Sequence, residues 1–138
     1  MHVQVFVVLT MLTLAACSGD GNGHPPPAPA AGETGARLYE GNCSPCHQSN
    51  GLGIPGVYPS LAGSSVVLGD PAVLSRWVIQ GIRPSMLPAG QYPTAMPKFG
   101  WMKPADAAAL FTYLRTSFGN AAAPVDAGVV AAAVAGVP

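Results

Sequence analysis

The segment Cys43-Ser44-Pro45-Cys46-His47 puts two thiols and an imidazole into one short stretch of chain. Thiols at this spacing can act as a redox dithiol, as half of a zinc site, or as anchors that add to the vinyl groups of a porphyrin. The His directly after the second thiol points to the last of these. C-x-x-C-H is the attachment signature of c-type haem: both thiols become thioethers, and the His then donates a nitrogen to iron. A zinc site needs two more ligands at suitable spacing, and only the histidines His2 and His24 remain, in the targeting segment and the linker. A thioredoxin-like dithiol belongs to a βαβ pattern, which is absent here. A chance pair of cysteines is the remaining alternative.

The elements that position this segment are read from caps and periodicity. A first helix is expected from about Thr34 to Cys43. A second starts at Asp70-Pro71, an N-cap acid followed by proline at the first helical position, and stops near Gly81. A third starts at Pro104. Ala107, Leu110, Phe111, Leu114 and Phe118 recur along it at helical spacing, and Gly119 is placed to end it. Between the helices run long Gly- and Pro-rich stretches, Gly51 to Gly69 and Arg83 to Lys103. Loops this long are unusual in a domain of about ninety residues. A large cofactor serving as the core would account for them, because so short a chain buries little apolar area alone.

With these residues in view, Thr34 to Asn120 resembles the class I cytochrome c family. Gly35 and Tyr39 resemble the family's Gly and aromatic on the first helix; Leu110 and Tyr113 resemble its apolar and aromatic pair on the last. Tyr58-Pro59-Ser60-Leu61 resembles the proline segment after the attachment motif. The resemblance implies that the Pro59 carbonyl accepts a hydrogen bond from the haem-ligating His47, fixing its tautomer and orientation, and that Leu61 packs on the ring. Met96-Pro97-Lys98-Phe99 resembles the segment carrying the sixth iron ligand, which implies His47 and Met96 as axial ligands. Met86 and Met102 are the rival methionines, and any of the three could instead fill a gap in the core. Phe99 to Asn120 looks most like haem domains of cytochrome subunits that serve bacterial membrane alcohol and sugar-acid dehydrogenases. The implied fold is all-α: three main helices and long loops wrapped around one covalent haem.

The flanks carry different signals. Residues 1–16 read as a lipoprotein signal peptide, with an apolar run Val3 to Leu14 and small residues before Cys17. Leu14-Ala15-Ala16-Cys17 resembles a lipobox, which implies an acylated Cys17 and a membrane anchor. The n-region departs from the pattern, since Met1-His2 holds no Lys or Arg. Residues 17–32 form a Gly- and then Pro-rich linker, residues 33–120 the folded domain, and residues 121–138 an Ala-rich tail. The tail's apolar run is too short to span a bilayer, and Pro124 and Asp126 interrupt it, so it is expected to be disordered or loosely packed.

Formal net charge is zero, which argues against nucleic-acid binding. Four acids and one base lie between Ser18 and Ser75; five bases and one acid lie between Arg76 and Arg115. The expected role is a one-electron carrier in the bacterial cell envelope, facing the periplasm. It would pass electrons from a dehydrogenase to an oxidase or other acceptor. A haem-based gas or redox sensor is the alternative, and would need a labile sixth ligand. A peroxidase-like enzyme would need an acid/base residue on an open distal side, and His47 is the only His of the domain. The expectation is therefore that the chain is not an enzyme.

Overall fold

The computed structural model describes residues 30–135. The signal peptide, Cys17 and residues 17–29 of the linker lie outside them. The order is α1 (Ala31–Asn42), α2 (Ser44–His47), α3 (Ser65–Leu68), α4 (Pro71–Ser75), a π-helical turn (Arg76–Gln80), α5 (Pro104–Thr116) and α6 (Ala127–Ala135). Among the described residues there is no strand, only an isolated bridge between Ile54 and Tyr58. The all-α expectation holds.

Helix α1 begins earlier than the sequence suggested. Thr34 N–H already donates to the Ala30 carbonyl, so Ala31 and Gly32 belong to the helix and not to the linker. Its inward face carries Gly35 and Tyr39, both buried, and crosses α5. A Cβ on Gly35 would collide with the Ala109 carbonyl oxygen and lie 2.7 Å from the Tyr113 Cβ. Only a residue without a side chain lets the two backbones approach so closely. The Tyr39 and Tyr113 rings sit 5.5 Å apart, and Phe118 closes the group, its ring 5.0 Å from that of Tyr39. Ala107, Leu110 and Phe111 of α5 are almost fully buried.

The second expected helix is present but changes pitch. Asp70 caps it, its Oδ1 accepting from Ala72 N–H at 2.8 Å, and Pro71 opens it. After Ser75 the winding widens into the π turn, and Gly81 stops it with a φ of 77°. Helix α5 starts at Pro104 as expected and ends at Thr116, ahead of Gly119.

The tail corrects the expectation of disorder. Ala127–Ala135 is a helix lying against α4, α5 and the π turn, with Val130 and Ala133 buried. Asp126, taken from sequence as an interruption, has its Oδ1 2.6 Å from Gly128 N–H, within the helix's first turn. Alanine is the strongest helix former. Ala127, Val130 and Val134 fall on one face and give the short helix something to bury.

Candidate haem site

Helix α1 delivers the attachment motif. The Cys43 amide closes the last turn of α1 by donating to the Tyr39 carbonyl at 2.8 Å. The next turn, α2, is opened by Ser44-Pro45, and His47 N–H donates to the Cys43 carbonyl at 2.8 Å. One helical turn thus carries Cys43, Cys46 and His47 to the same region. Gln48 then leaves the helix at a φ of 63°, and the Tyr39 hydroxyl donates to its carbonyl.

Cys43 is buried and Cys46 half-buried. Burial, with the charge of Cys46 adding to it, pushes the Cys43 thiol up to about 11. His47 is 8% exposed. Burial lowers its pKa, and the bond to the Pro59 carbonyl partly opposes this. That bond, 2.9 Å from Nδ1 to the Pro59 oxygen, is the contact implied by the resemblance. A carbonyl can only accept, so Nδ1 carries the proton and Nε2 keeps its lone pair for a metal.

The long loop after α2 holds Pro59 in place. Gly53 N–H donates to the His47 carbonyl at 2.9 Å, and Leu61 N–H to the Gly51 carbonyl at 2.8 Å. Gly53 has a φ of 65°, and a Cβ there would lie 2.8 Å from the Pro59 carbonyl carbon. The glycine lets this loop fold back on the very peptide that His47 contacts.

These residues line a cavity of about 530 Å³. That volume lies in the range of about 300–1,000 Å³ usual for cofactor sites. Cys43, Cys46, His47, Pro59, Leu61 and Met96 all contribute to its wall. Neither rival methionine does: Met86 is 59% exposed and Met102 is buried elsewhere in the core. Val66, Val67, Leu74, Val78, Leu110 and Leu114 supply much of the apolar surface. Phe99 N–H donates to the Val78 carbonyl at 2.9 Å and so fixes the end of the Met96-Pro97-Lys98-Phe99 segment.

The sequence reading did not anticipate Trp77 and Arg83, which also line the cavity. The lining contains no acid, and Arg83 is its one Lys or Arg. The Arg83 guanidinium lies 5.6 Å from the Trp77 ring centre and donates to the Leu87 and Pro88 carbonyls. A lone cation just past the end of a predicted helix carries no such signal in sequence. Among the described residues no cluster of three or more His, Cys, Asp and Glu could hold a metal ion unaided. An apolar cavity walled by two thiols, a metal-ready imidazole and a thioether fits a flat, iron-bearing macrocycle.

Comparison with known proteins agrees. The chain is 33% identical over 92 residues to cytochrome c-552 of Thermus thermophilus, covering 63% of this chain and 70% of that one. It is 35% identical over 94 residues to the cytochrome c subunit of a quinone alcohol dehydrogenase of Gluconobacter oxydans, covering 64% of this chain. It is 36% identical over 96 residues to the cytochrome c subunit of gluconate 2-dehydrogenase of Pantoea cypripedii, covering 65% of this chain. The chain spans only 19% and 21% of the length of those two subunits. The family model for cytochrome c matches residues 32–118. The chain therefore belongs to the cytochrome c family, whose cofactor is a covalently bound haem c.

Proposed function

We propose that this electron carrier holds its haem through Cys43 and Cys46 and ligates the iron with His47 and Met96. In this reading it passes single electrons from a membrane or periplasmic dehydrogenase to a terminal acceptor. The observation that carries it is the meeting of His47, Pro59, Leu61 and Met96 in the lining of one cavity, with Nδ1 of His47 bonded to the Pro59 carbonyl. Bound there, the haem supplies a one-electron iron couple. The chain's own residues do the rest. Pro59 keeps the His47 proton on Nδ1 and makes the other nitrogen a better donor. Met96 presents a soft, neutral thioether, which favours reduced iron and raises the potential. The apolar wall excludes water. Arg83, the one Lys or Arg of the lining, would supply positive charge for the macrocycle's carboxylates. With His47 and Met96 both holding the iron, no position would be left there for a substrate.

The dehydrogenase subunits among the relatives support the partner class, and the lipobox-like Leu14-Ala15-Ala16-Cys17 supports the envelope location. The test is the reduced visible spectrum with and without carbon monoxide, in the parent and three variants. The parent should be unchanged by the gas. Met96→Ala should lose the thioether-to-iron band of the oxidised protein, lower the potential and bind carbon monoxide. Met86→Ala and Met102→Leu should do none of this; leucine keeps the core volume at Met102. If a rival variant loses the band while Met96→Ala keeps it, the wrong methionine is assigned. If the parent itself binds the gas, a sensor with a labile sixth ligand replaces the carrier.

A further inference from the structure

The cytochrome c match ends at residue 118, yet the chain beyond it is built into the fold. The connection to α6 is tied to α5: Arg115 Nε donates to the Ala123 carbonyl at 2.7 Å, and Val125 N–H to Thr112 Oγ1 at 2.9 Å. Val130 is fully buried and Ala133 is 8% exposed. The far end is tied to the π turn, where Gln80 Nε2 donates to the Val134 carbonyl at 2.8 Å. Helix α6 therefore lies over α4, α5 and the π turn, held by the connection before it and by Gln80 at its far end.

The π turn is where the ligand segment attaches. A π turn is rare and is held by its surroundings, because the wider winding packs poorly along its own axis. Here it ends at Gly81, so the Val78 carbonyl has no helical partner further on and takes Phe99 N–H instead. Phe99 is 9% exposed, lines the cavity, and closes the segment that begins at Met96. A weak neutral ligand depends on the loop that presents it.

We propose that α6 is a brace for the sixth-ligand segment: by holding the π turn through Val130, Ala133 and the Gln80–Val134 bond, it keeps Phe99, and hence Met96, in place. This rests on Met96 being the ligand. Gln80 is then a positioning residue that acts through the π turn. Its Nε2 bond to the Val134 carbonyl is the one side-chain hydrogen bond it makes among the described residues, since its buried Oε1 has no partner there.

The test uses the full-length haem-loaded protein. Three variants loosen the brace: Val130→Asp, a chain ending after Asn120, and the milder Gln80→Met. Tyr113→Leu is the control, since it weakens packing between α1 and α5 away from α6. The readouts are amide hydrogen exchange at Phe99 relative to His47, and carbon monoxide binding to the reduced protein. The brace variants should speed relative exchange at Phe99 about tenfold or more and admit the gas, with Gln80→Met smaller in both. Tyr113→Leu should lower the melting temperature without either change. If the brace variants keep the Phe99 protection ratio and exclude the gas, or if Tyr113→Leu reproduces their effects, α6 only adds stability and the proposal fails. Met96→Ala separates the underlying assumption: if that variant excludes the gas, the ligand assignment has failed, whatever Phe99 does.

Discussion

Burial holds two groups beside the attachment motif in their uncharged forms. His47 loses affinity for a second proton as water is excluded, so its imidazole is neutral and ready for iron. Tyr39, 1% exposed, is held protonated by the same effect, its pKa pushed up from 10.0 to about 12 by burial first and by neighbouring Cys43 next. Its hydroxyl donates to the carbonyl of Gln48, the residue at which the chain leaves α2. The folded state thus prefers the protonated phenol more than the unfolded chain does. The stability this gives is fully present below pH 10 and drains away as pH rises toward 12. Tyr39→Phe should therefore cost about 1 kcal/mol near neutral pH through the lost hydrogen bond. The gap between parent and variant should close and then reverse as pH climbs from 10 to about 12, because the linked loss across that window exceeds the lost hydrogen bond. Urea titrations of both proteins across that window check it; a gap that stays constant would mean the phenol is not what titrates.

At the level of elements, the crossing of α1 and α5 frames everything else. Gly35→Ala would push a methyl against the Ala109 carbonyl and the Tyr113 Cβ, both on a helix that cannot yield locally. The expected cost is about 1–3 kcal/mol, the usual range for overpacking, read as a lower urea midpoint with unchanged denaturant slope. A midpoint equal to the parent's would show that the helices can slide apart. This crossing was legible in sequence through the family resemblance that Gly35, Tyr39, Leu110 and Tyr113 carry. The attachment motif was legible without it, because its chemistry is local. Pro59 and Met96 needed the family resemblance, since a loop proline and a loop methionine have no local signature of their own. The π turn was not legible at all. Asp70-Pro71 and Gly81 mark where the helix begins and ends, but the change of winding inside is set by what packs on it. Helix α6 was missed for a different reason. Its buried face is made of Ala and Val, too small for periodicity to stand out in a run that is apolar throughout. Asp126, read as a break, in fact stands at its start.

Taken whole, the described molecule is a small helical body around a cavity, and its long loops supply part of the wall. Among the described residues no helix is long and apolar enough to cross a bilayer. We propose that membrane attachment rests on Cys17, because Leu14-Ala15-Ala16-Cys17 resembles a lipobox. That residue is followed by fifteen residues, Ser18 to Gly32, with Gly-rich and then Pro-rich character. Such a stretch reaches about 20 Å as coil and about 45 Å when fully extended, although Ala31 and Gly32 are already taken up by α1. On this composition, anchor and electron carrier are expected to be separable. Stable anchoring takes more than one acyl chain, so loss of the thiol should be decisive. Cys17→Ser should move the protein from the membrane fraction to the soluble fraction, with the reduced spectrum, potential and haem content of the parent. Fractionation in low and in high salt checks this, because a protein held only by a charged partner is released by salt and a lipid-anchored one is not. A Cys17→Ser protein that stays with the membranes in high salt would show that the anchor lies elsewhere. One that leaves the membranes but has lost its haem would show that Cys17 serves maturation as well as attachment.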